Sequence, residues 1–336
     1  TGFVVSRVPV GFVDRLIHFL RRKRLKSTFL VPLKSEYQLE KELKDRHVIH
    51  AHFGPNGLAI LPYAKRNSLP LVVSFHGYDA SQMLQNTEYT KNLEQLFEYA
   101  TAIIVCANRM KQDLLEATNS NYSEKIRVIH YGVDVEYITS VSAKKKEKGV
   151  IHLIHAGRLT SKKGVFDLIQ VFNEVQKILP TIRIHLDIIG DGEEMPALLS
   201  LVENLEMFNH IHFYGALSHQ ELIAHVKGAD IFVLNSRVSP NGDSEGFPNS
   251  ILEAMAGETV VVSTRHAGIP EVVLHEETGL LVAESDNEAL KAALIRLIQS
   301  ENLRNKLSHQ AFLKVKHKFS LTQMHYKLKK LFSHIH

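Results

Sequence analysis

The sequence predicts an α/β protein of two doubly wound, Rossmann-like domains, each a parallel sheet wrapped by helices. Two observations predict it. The chain is 336 residues long, the length of two domains rather than one. Short apolar runs alternate with stretches of helical period, clearly in the second half and less regularly in the first. A polar stretch from Val135 to Lys148, ending Lys144-Lys145-Lys146-Glu147-Lys148, reads as the linker. The expected domains are residues 1–140 and 141–320, with 321–336 a C-terminal helix crossing back to the first. Two such domains imply a cleft between the carboxyl ends of their strands, where ligands bind.

In chain order, His47–Ala51, Leu71–Phe75, Ala102–Cys106 and Ile126–Ile129 read as strands of the first domain. In the second, Val150–His155 is a strand. Gly164–Leu179 is a helix, because Val165, Leu168, Ile169, Phe172, Val175 and Leu179 recur at helical spacing. Ile182–Ile189 is a strand closed by Gly190-Asp191-Gly192, and Pro196–Leu205 a helix. After the strand His210–Phe213, Ser218 and Glu221 form a capping box that opens the next helix. Asp230–Leu234, Thr259–Ser263 and Leu280–Val282 are strands and Asn249–Met255 a helix; Ser285 with Glu288 opens another capped helix. The chain begins at Thr1, and no strand with a glycine-rich turn precedes the first helical pattern, so the first domain reads as short at its N-terminus.

Composition narrows the class. The single cysteine, Cys106, sits in an apolar run and excludes an internal disulfide framework. No apolar stretch reaches the ~18 residues that span a bilayer, and no signal peptide is read, so a cytoplasmic location is expected. Residues 1–150 hold 22 Lys/Arg against 15 Asp/Glu, and residues 151–336 hold 18 against 21. The basic first half suggests an anionic neighbour such as a membrane surface or a lipid-linked phosphate. Arg21-Arg22-Lys23-Arg24 and Lys26 follow the apolar Phe12, Val13, Leu16, Ile17, Phe19 and Leu20. They form either a helix lying on a membrane or a core-facing helix with a solvated end. No recognition motif accompanies the charge, which speaks against nucleic acid.

The densest chemistry lies in Glu245-Gly246-Phe247-Pro248-Asn249-Ser250-Ile251-Leu252-Glu253-Ala254-Met255-Ala256. Pro248 suits a helix start, and the free N–H groups of the first turn suit a diphosphate. Glu245 and Glu253 read either as acceptors for sugar and ribose hydroxyls or as the ordinary acidic start of a helix. Upstream stands Ala156-Gly157-Arg158-Leu159-Thr160-Ser161-Lys162-Lys163-Gly164. Cations at a helix start oppose the dipole, which favours a functional Lys163 and leaves Lys162 solvated. His50 and His52 share one side of a strand, yet two further zinc ligands cannot be placed, so no metal site is expected. Asp79 either caps the following helix or touches a ligand.

Glu–x7–Glu with Ala-Met-Ala resembles the donor-binding motif of the GT4-type family of GT-B glycosyltransferases. Gly157-Arg158-Leu159 with Lys163-Gly164, Gly268-Ile269-Pro270-Glu271-Val272-Val273 and Gly279-Leu280-Leu281-Val282 are similar to further motifs of that family. So are His50-Ala51-His52-Phe53-Gly54, Ser74-Phe75-His76-Gly77-Tyr78-Asp79 and Tyr131-Gly132-Val133-Asp134. Together they cover residues 47–285. Gly242-Asp243-Ser244-Glu245-Gly246 resembles members that assemble exopolysaccharide.

The resemblance implies a retaining transferase that needs no metal or other cofactor. It would move a hexose from a nucleotide-sugar, a UDP-sugar by preference, to a saccharide, lipid-linked, in exopolysaccharide or lipopolysaccharide assembly. His76 and Glu245 would be catalytic. Arg158, Lys163, Asn249, Ser250 and Ile251 would hold the diphosphate; Gly246 and Phe247 would face the sugar, and Glu253 the ribose. Gly190, Asp191, Tyr214 and Gly215 would lie near the base, and His52, Gly54 and Asp79 near the acceptor. Gly257, one position earlier than the family's glycine, is expected to end its helix in left-handed conformation. Two other classes stay open: a non-catalytic nucleotide-sugar-binding scaffold and a nucleotide-sugar 2-epimerase.

Overall fold

The computed structural model describes residues 48–118 and 122–335, so the basic segment around Arg21–Lys26 lies outside the described residues. The chain divides into two units, residues 1–129 with 327–336, and residues 130–326.

In the first unit, β1 (Ile49–His52), β2 (Leu71–Ser74), β3 (Ala102–Val105) and β4 (Ile126–Val128) form a parallel sheet in sequence order. Each falls where an apolar run predicts it, and β2 and β3 are buried at every position, as strands covered on both faces should be. α1 (Gly54–Arg66) starts with Pro55 in its first turn. α2 (Thr87–Tyr99) is capped by Asn86, whose side chain accepts from Tyr89 N, and α3 (Asn108–Thr118) leads toward β4.

The second unit carries a six-stranded parallel sheet in the order β10-β9-β8-β5-β6-β7. Its strands are β5 (Val150–Ala156), β6 (Arg183–Ile189), β7 (Ile211–Gly215), β8 (Ile231–Leu234), β9 (Val260–Thr264) and β10 (Leu280–Val282). The chain winds outward from β5 through β7, then returns beside β5 to lay down β8. This reversal places a switch point at the carboxyl ends of β5 and β8, the usual ligand position in such sheets. One core of Leu, Ile, Val and Phe side chains lies under the sheet, centred on Leu153, Leu168, Phe172, Leu186 and Ile188.

The helices of this unit are α4 (Val135–Ser140), α5 (Val165–Ile178), α6 (Met195–Asn204), α7 (His219–Gly228), α8 (Asn249–Ala256), α9 (Ile269–Val272), α10 (Asn287–Gln299) and α11 (Glu301–Lys318). α12 (Leu321–Phe332) closes the chain. None of the described helices is long and apolar enough to cross a membrane.

Several local expectations change. The stretch read as a linker begins with α4, because Asp134 accepts from Tyr137 N and Val135 and Ile138 are buried. Ser218 and Glu221 make both bonds of the capping box, but α10 is capped by Asp286 rather than Ser285. Ser285 takes φ 59° and serves as the turn before it. Gly257 is not left-handed (φ −82°); the positive φ falls on Glu258, at 59°. Gly257 is small for a different reason: a Cβ there would stand 2.9 Å from Lys227 Cγ of α7.

Candidate functional site

The switch point is built from two loops tied to one another. The first leaves β5 through Gly157, forms a short 3-10 turn at Ser161–Lys163 and enters α5 at Gly164. Gly164 has φ 60°, and a Cβ on it would lie 2.2 Å from the Asn235 carbonyl oxygen, so only glycine lets the loops meet. The second loop runs from Asn235 to Pro248. Arg237 N donates to Lys162 O at 2.9 Å, Arg237 Nε donates to Ser161 O at 3.2 Å, and its guanidinium pairs with Asp167.

Between the loops lies a compensated group of charges. Lys163 Nζ stands 3.0 Å from Glu245 Oε1, with both side chains about nine-tenths buried. Lys162 is not solvated as expected: it pairs with Asp243 at 2.9 Å and lies 4.0 Å from Glu245. Burial pushes the Glu245 carboxyl up, but Lys163 and Lys162 outweigh it and hold the group below its ordinary value. Glu245 is therefore a carboxylate at neutral pH, and buried charges persist only when paired in this way.

Two histidines that sequence reasoning passed over frame this group. His155, in the apolar run of β5, is fully buried, and its Nδ1–H donates to Val233 O at 3.1 Å. Burial first, then Lys163, pushes it down to about 4. Its Nε2 faces the loop of Gly157: a Cβ there would sit 3.6 Å from both His155 Nε2 and Lys163 Nζ. His266 Nε2 accepts the Glu245 N–H at 3.1 Å, so its proton resides on Nδ1 and is donated to Glu284 at 2.8 Å. It fixes the backbone from which Glu245 projects. Buried polar atoms without a hydrogen-bond partner gather here: His155 Nε2, Thr160 Oγ1, Ser236 Oγ and Asp243 Oδ1. Such atoms call for a polar ligand or water.

Glu245 leads into α8. The amides of Gly246, Phe247, Asn249 and Ser250 donate to no acceptor among the described residues, whereas Ile251 N donates to Pro248 O at 3.2 Å. Ile251 therefore spends its amide within the turn, unlike Asn249 and Ser250. The Phe247 ring is buried against His130 and Phe319. One turn further, Glu253 lies 3.0 Å from His219 Nε2, whose ring stacks on Tyr137 at 5.6 Å. The Arg158 side chain is exposed and makes no ion pair or hydrogen bond among the described residues, although its carbonyl accepts from Thr160 N at 3.0 Å. Gly190, Asp191 and Gly215 follow or end β6 and β7 at the same edge of the sheet. Gly190 approaches so closely that a Cβ would lie 1.9 Å from Gly157 O. Tyr214 instead turns its ring beneath Lys144, 4.5 Å away.

The first unit gathers His50, His52, His76, Gly54 and Asp79. His52 Nδ1 is 2.9 Å from His76 Nε2, His50 Nε2 is 2.8 Å from Ser74 Oγ, and the His52 and His76 rings stack. Burial, reinforced by the neighbouring histidines, pushes His50 and His76 down to about 4. Asp79 is fully buried and accepts from the amides of His76 (2.9 Å), Gly77 (3.2 Å) and Gly54 (2.9 Å). It thus caps α1, the helix before it, rather than a following one. A side chain on Gly54 would run into Tyr89 Oη at 2.1 Å. No group of three His, Cys, Asp or Glu side chains among the described residues is arranged to hold a metal ion.

A reversed parallel sheet whose switch-point loops set lysines and a carboxylate beside an open helix start is a doubly wound α/β architecture with its ligand position at the switch point. The chain belongs to the glycosyl transferases group 1 family, whose model matches residues 136–314; residues 6–137 match glycosyltransferase family 4. It is 32% identical over 253 residues to the putative colanic acid biosynthesis glycosyltransferase WcaL of Salmonella typhimurium, covering 74% of this chain and 60% of that protein. It is 32% identical over 230 residues to the amylovoran biosynthesis glycosyltransferase AmsK of Erwinia amylovora, covering 68% of this chain and 55% of that one. The chain thus spans about three fifths of the length of these relatives. The fold matches the crystal structure of Anabaena Alr3699/HepE in complex with UDP at a TM-score of 0.76, covering 88% of this chain and 81% of that one at 17% identity. The two parallel sheets are those of the GT-B fold.

Proposed function

We propose that the chain is the sugar-transferring part of a retaining, metal-independent glycosyltransferase. It moves a hexose from a UDP-sugar to a saccharide, lipid-linked, in exopolysaccharide or lipopolysaccharide assembly at an anionic membrane surface. The observation that carries the reading is the Lys163–Glu245 pair held between the two loops beside the open amides of α8.

In this reading the donor diphosphate takes the amides of Asn249 and Ser250, with Arg158 and Lys163 as its cations. When the anomeric C–O bond breaks, charge grows on the leaving phosphate, and preorganised donors stabilise it there without a metal. The acceptor oxygen bonds to the anomeric carbon on the face the phosphate leaves, and its proton passes to the departing phosphate oxygen. Configuration is thereby kept. Glu245 and the amides of Gly246 and Phe247 bind the sugar, and Glu253 the ribose hydroxyls in place of His219. His76, neutral by burial, hydrogen-bonds the sugar without adding charge.

Calorimetric titration of UDP and GDP, with excess chelator, tests the reading. UDP is expected to bind whether or not chelator is present, and Glu253→Ala to weaken it about tenfold or more. Binding that chelator abolishes, or that Glu253→Ala leaves intact, overturns the assignment.

A further inference from the structure

A second polar group lies on one face of the same sheet, reaching the amino ends of β5 and β8, and the proposed transfer does not use it. On β6, Ile184, Leu186 and Ile188 are buried in the core, so His185 and Asp187 point to the opposite, half-exposed face. His152 registers against His185, and Asp187 against His212. Three strands therefore carry a run of imidazoles. The rings of His152 and His185 stack at 5.8 Å, and those of His185 and His212 at 5.7 Å and only 6° from parallel.

A pocket of about 100 Å³ opens over this face, bounded by His225 of α7 and by the lysines leading into β5. Gly228 and Ala229, just before β8, complete its wall. Lys146 and Ala229 precede their strands, whereas Gly157 and Asn235 of the switch point come after them. At about 3.3 Å per residue, the two ends of β5 lie roughly 20 Å apart. Along β5 and β8 the pocket thus lies away from the switch point, whereas on β7 it reaches Tyr214, one residue from the end of that strand.

Its chemistry favours an anion. Parallel, stacked imidazoles cannot converge their in-plane lone pairs on one metal ion. His152 Nε2 and His210 Nδ1 are buried with no hydrogen-bond partner, and the His210 ring stands 6.0 Å from that of His185. Asp187 lies 3.9 Å from both His212 Nδ1 and His225 Nδ1, too far to satisfy either. We propose that this pocket is a proton-gated site for a small tetrahedral oxyanion of the sulfate or phosphate class.

The gating arises from the charges that face it. Lys144, Lys145 and Lys146 line the rim. They are offset by Asp187, by Asp230, which pairs with Lys146 at 2.6 Å, and by Glu221, which acts on His225. With the imidazoles neutral the pocket carries little net charge, and each proton taken up makes it positive. Burial above all holds His152, His185 and His225 below the ordinary histidine value, and for His185 the neighbouring histidines add to it. A bound anion stabilises the protonated rings, so binding and proton uptake are one equilibrium.

Sulfate is the suitable probe, because its own charge does not change near neutrality. Calorimetry on the full chain, with and without saturating UDP, should show sulfate affinity rising about tenfold between about pH 8 and about pH 6, with proton uptake from the buffer. The variant His185→Asn/His212→Asn should show a clearly smaller rise in affinity between those pH values, because only His152 and His225 remain, while binding UDP as before. Lys144→Gln, a rim change that leaves the sheet intact, should weaken sulfate a few fold. A phosphate monoester that binds more tightly than sulfate supports the site and assigns its anion to a larger ligand. The proposal is overturned by the absence of saturable sulfate binding at either pH, or by an affinity that ignores pH or the double variant. Displacement by UDP would overturn it too, placing the ion at the switch point, and so would zinc binding in place of sulfate.

Discussion

The histidine cluster of the first unit and the Lys163–Glu245 group of the second bury polar side chains by opposite means. His50, His52 and His76 shed their protons: burial and mutual repulsion make neutrality the cheaper state. Glu245 keeps its charge because two lysines surround it. The first arrangement offers hydrogen bonds without charge. The second offers a carboxylate held charged by its lysine partners. The proposed transfer assigns the uncharged cluster to the sugar and the charged group to the leaving diphosphate.

The largest effect should come from unbalancing the charged group. Lys163→Ala leaves Glu245 buried beside the weaker Lys162 contact, and we expect a loss of about 3 kcal/mol in urea unfolding, with loss of UDP binding. Adding Glu245→Gln should recover much of the stability and none of the binding. A single variant as stable as the parent chain would show that the pair is solvated and the contrast false.

Acid should discriminate next. For His50 and His76 the folded value, about 4, lies below the unfolded value of 6.5. Between those values the unfolded chain binds protons that the folded chain does not. Their contribution to stability is therefore complete above about pH 6.5 and fades as pH falls toward about 4. Glu245, depressed below 4.5, loses its contribution only under more acidic conditions. Histidine NMR titration should find the midpoints of His50 and His76 near pH 4; either ring titrating near 6.5 would break the comparison.

The smallest test removes one hydrogen bond from the uncharged cluster. Ser74→Ala takes away the partner of His50 Nε2 and should cost about 1 kcal/mol, equally at low and high salt. A salt-dependent cost would mean that the cluster carries charge after all.

What the sequence made legible was local. The apolar runs, the Ser218–Glu221 box and the open start of α8 each depend on neighbouring residues, and periodicity reveals them. The pairing of Lys162 with Asp243 joins residues distant in sequence, so it could not be read from either loop. His155 was hidden because either histidine of the run Val150–Ala156 looks like any other strand residue; its neighbours across the sheet give it its part. His266 stands near motifs that were read, yet only the fold shows its ring beneath the Glu245 amide. α4 was obscured by the lysines that come after it, although Val135 and Ile138 have helical spacing. α11 escaped because Arg304 and Ser308 are buried alongside its apolar residues, which blurs the stripe. Among the residues expected at the donor, the sequence made the start of α8 legible, but not that Ile251 donates within its own turn.

Lys227 shows where the chain can be parted. Its ammonium donates to the carbonyls of Ile138, Thr139 and Val141 at 3.0, 2.8 and 2.5 Å, binding the end of α4 to α7. Just upstream, Val133 N donates to Phe319 O, and Leu321 N donates to Val133 O. The residues between His130 and Val141 thus belong structurally to the second unit. A fragment begun at residue 141 would strip an ammonium of its acceptors and open a seam beside α7. An exchange of halves between related chains, in the laboratory or in evolution, keeps its joints intact only if the crossover falls before His130.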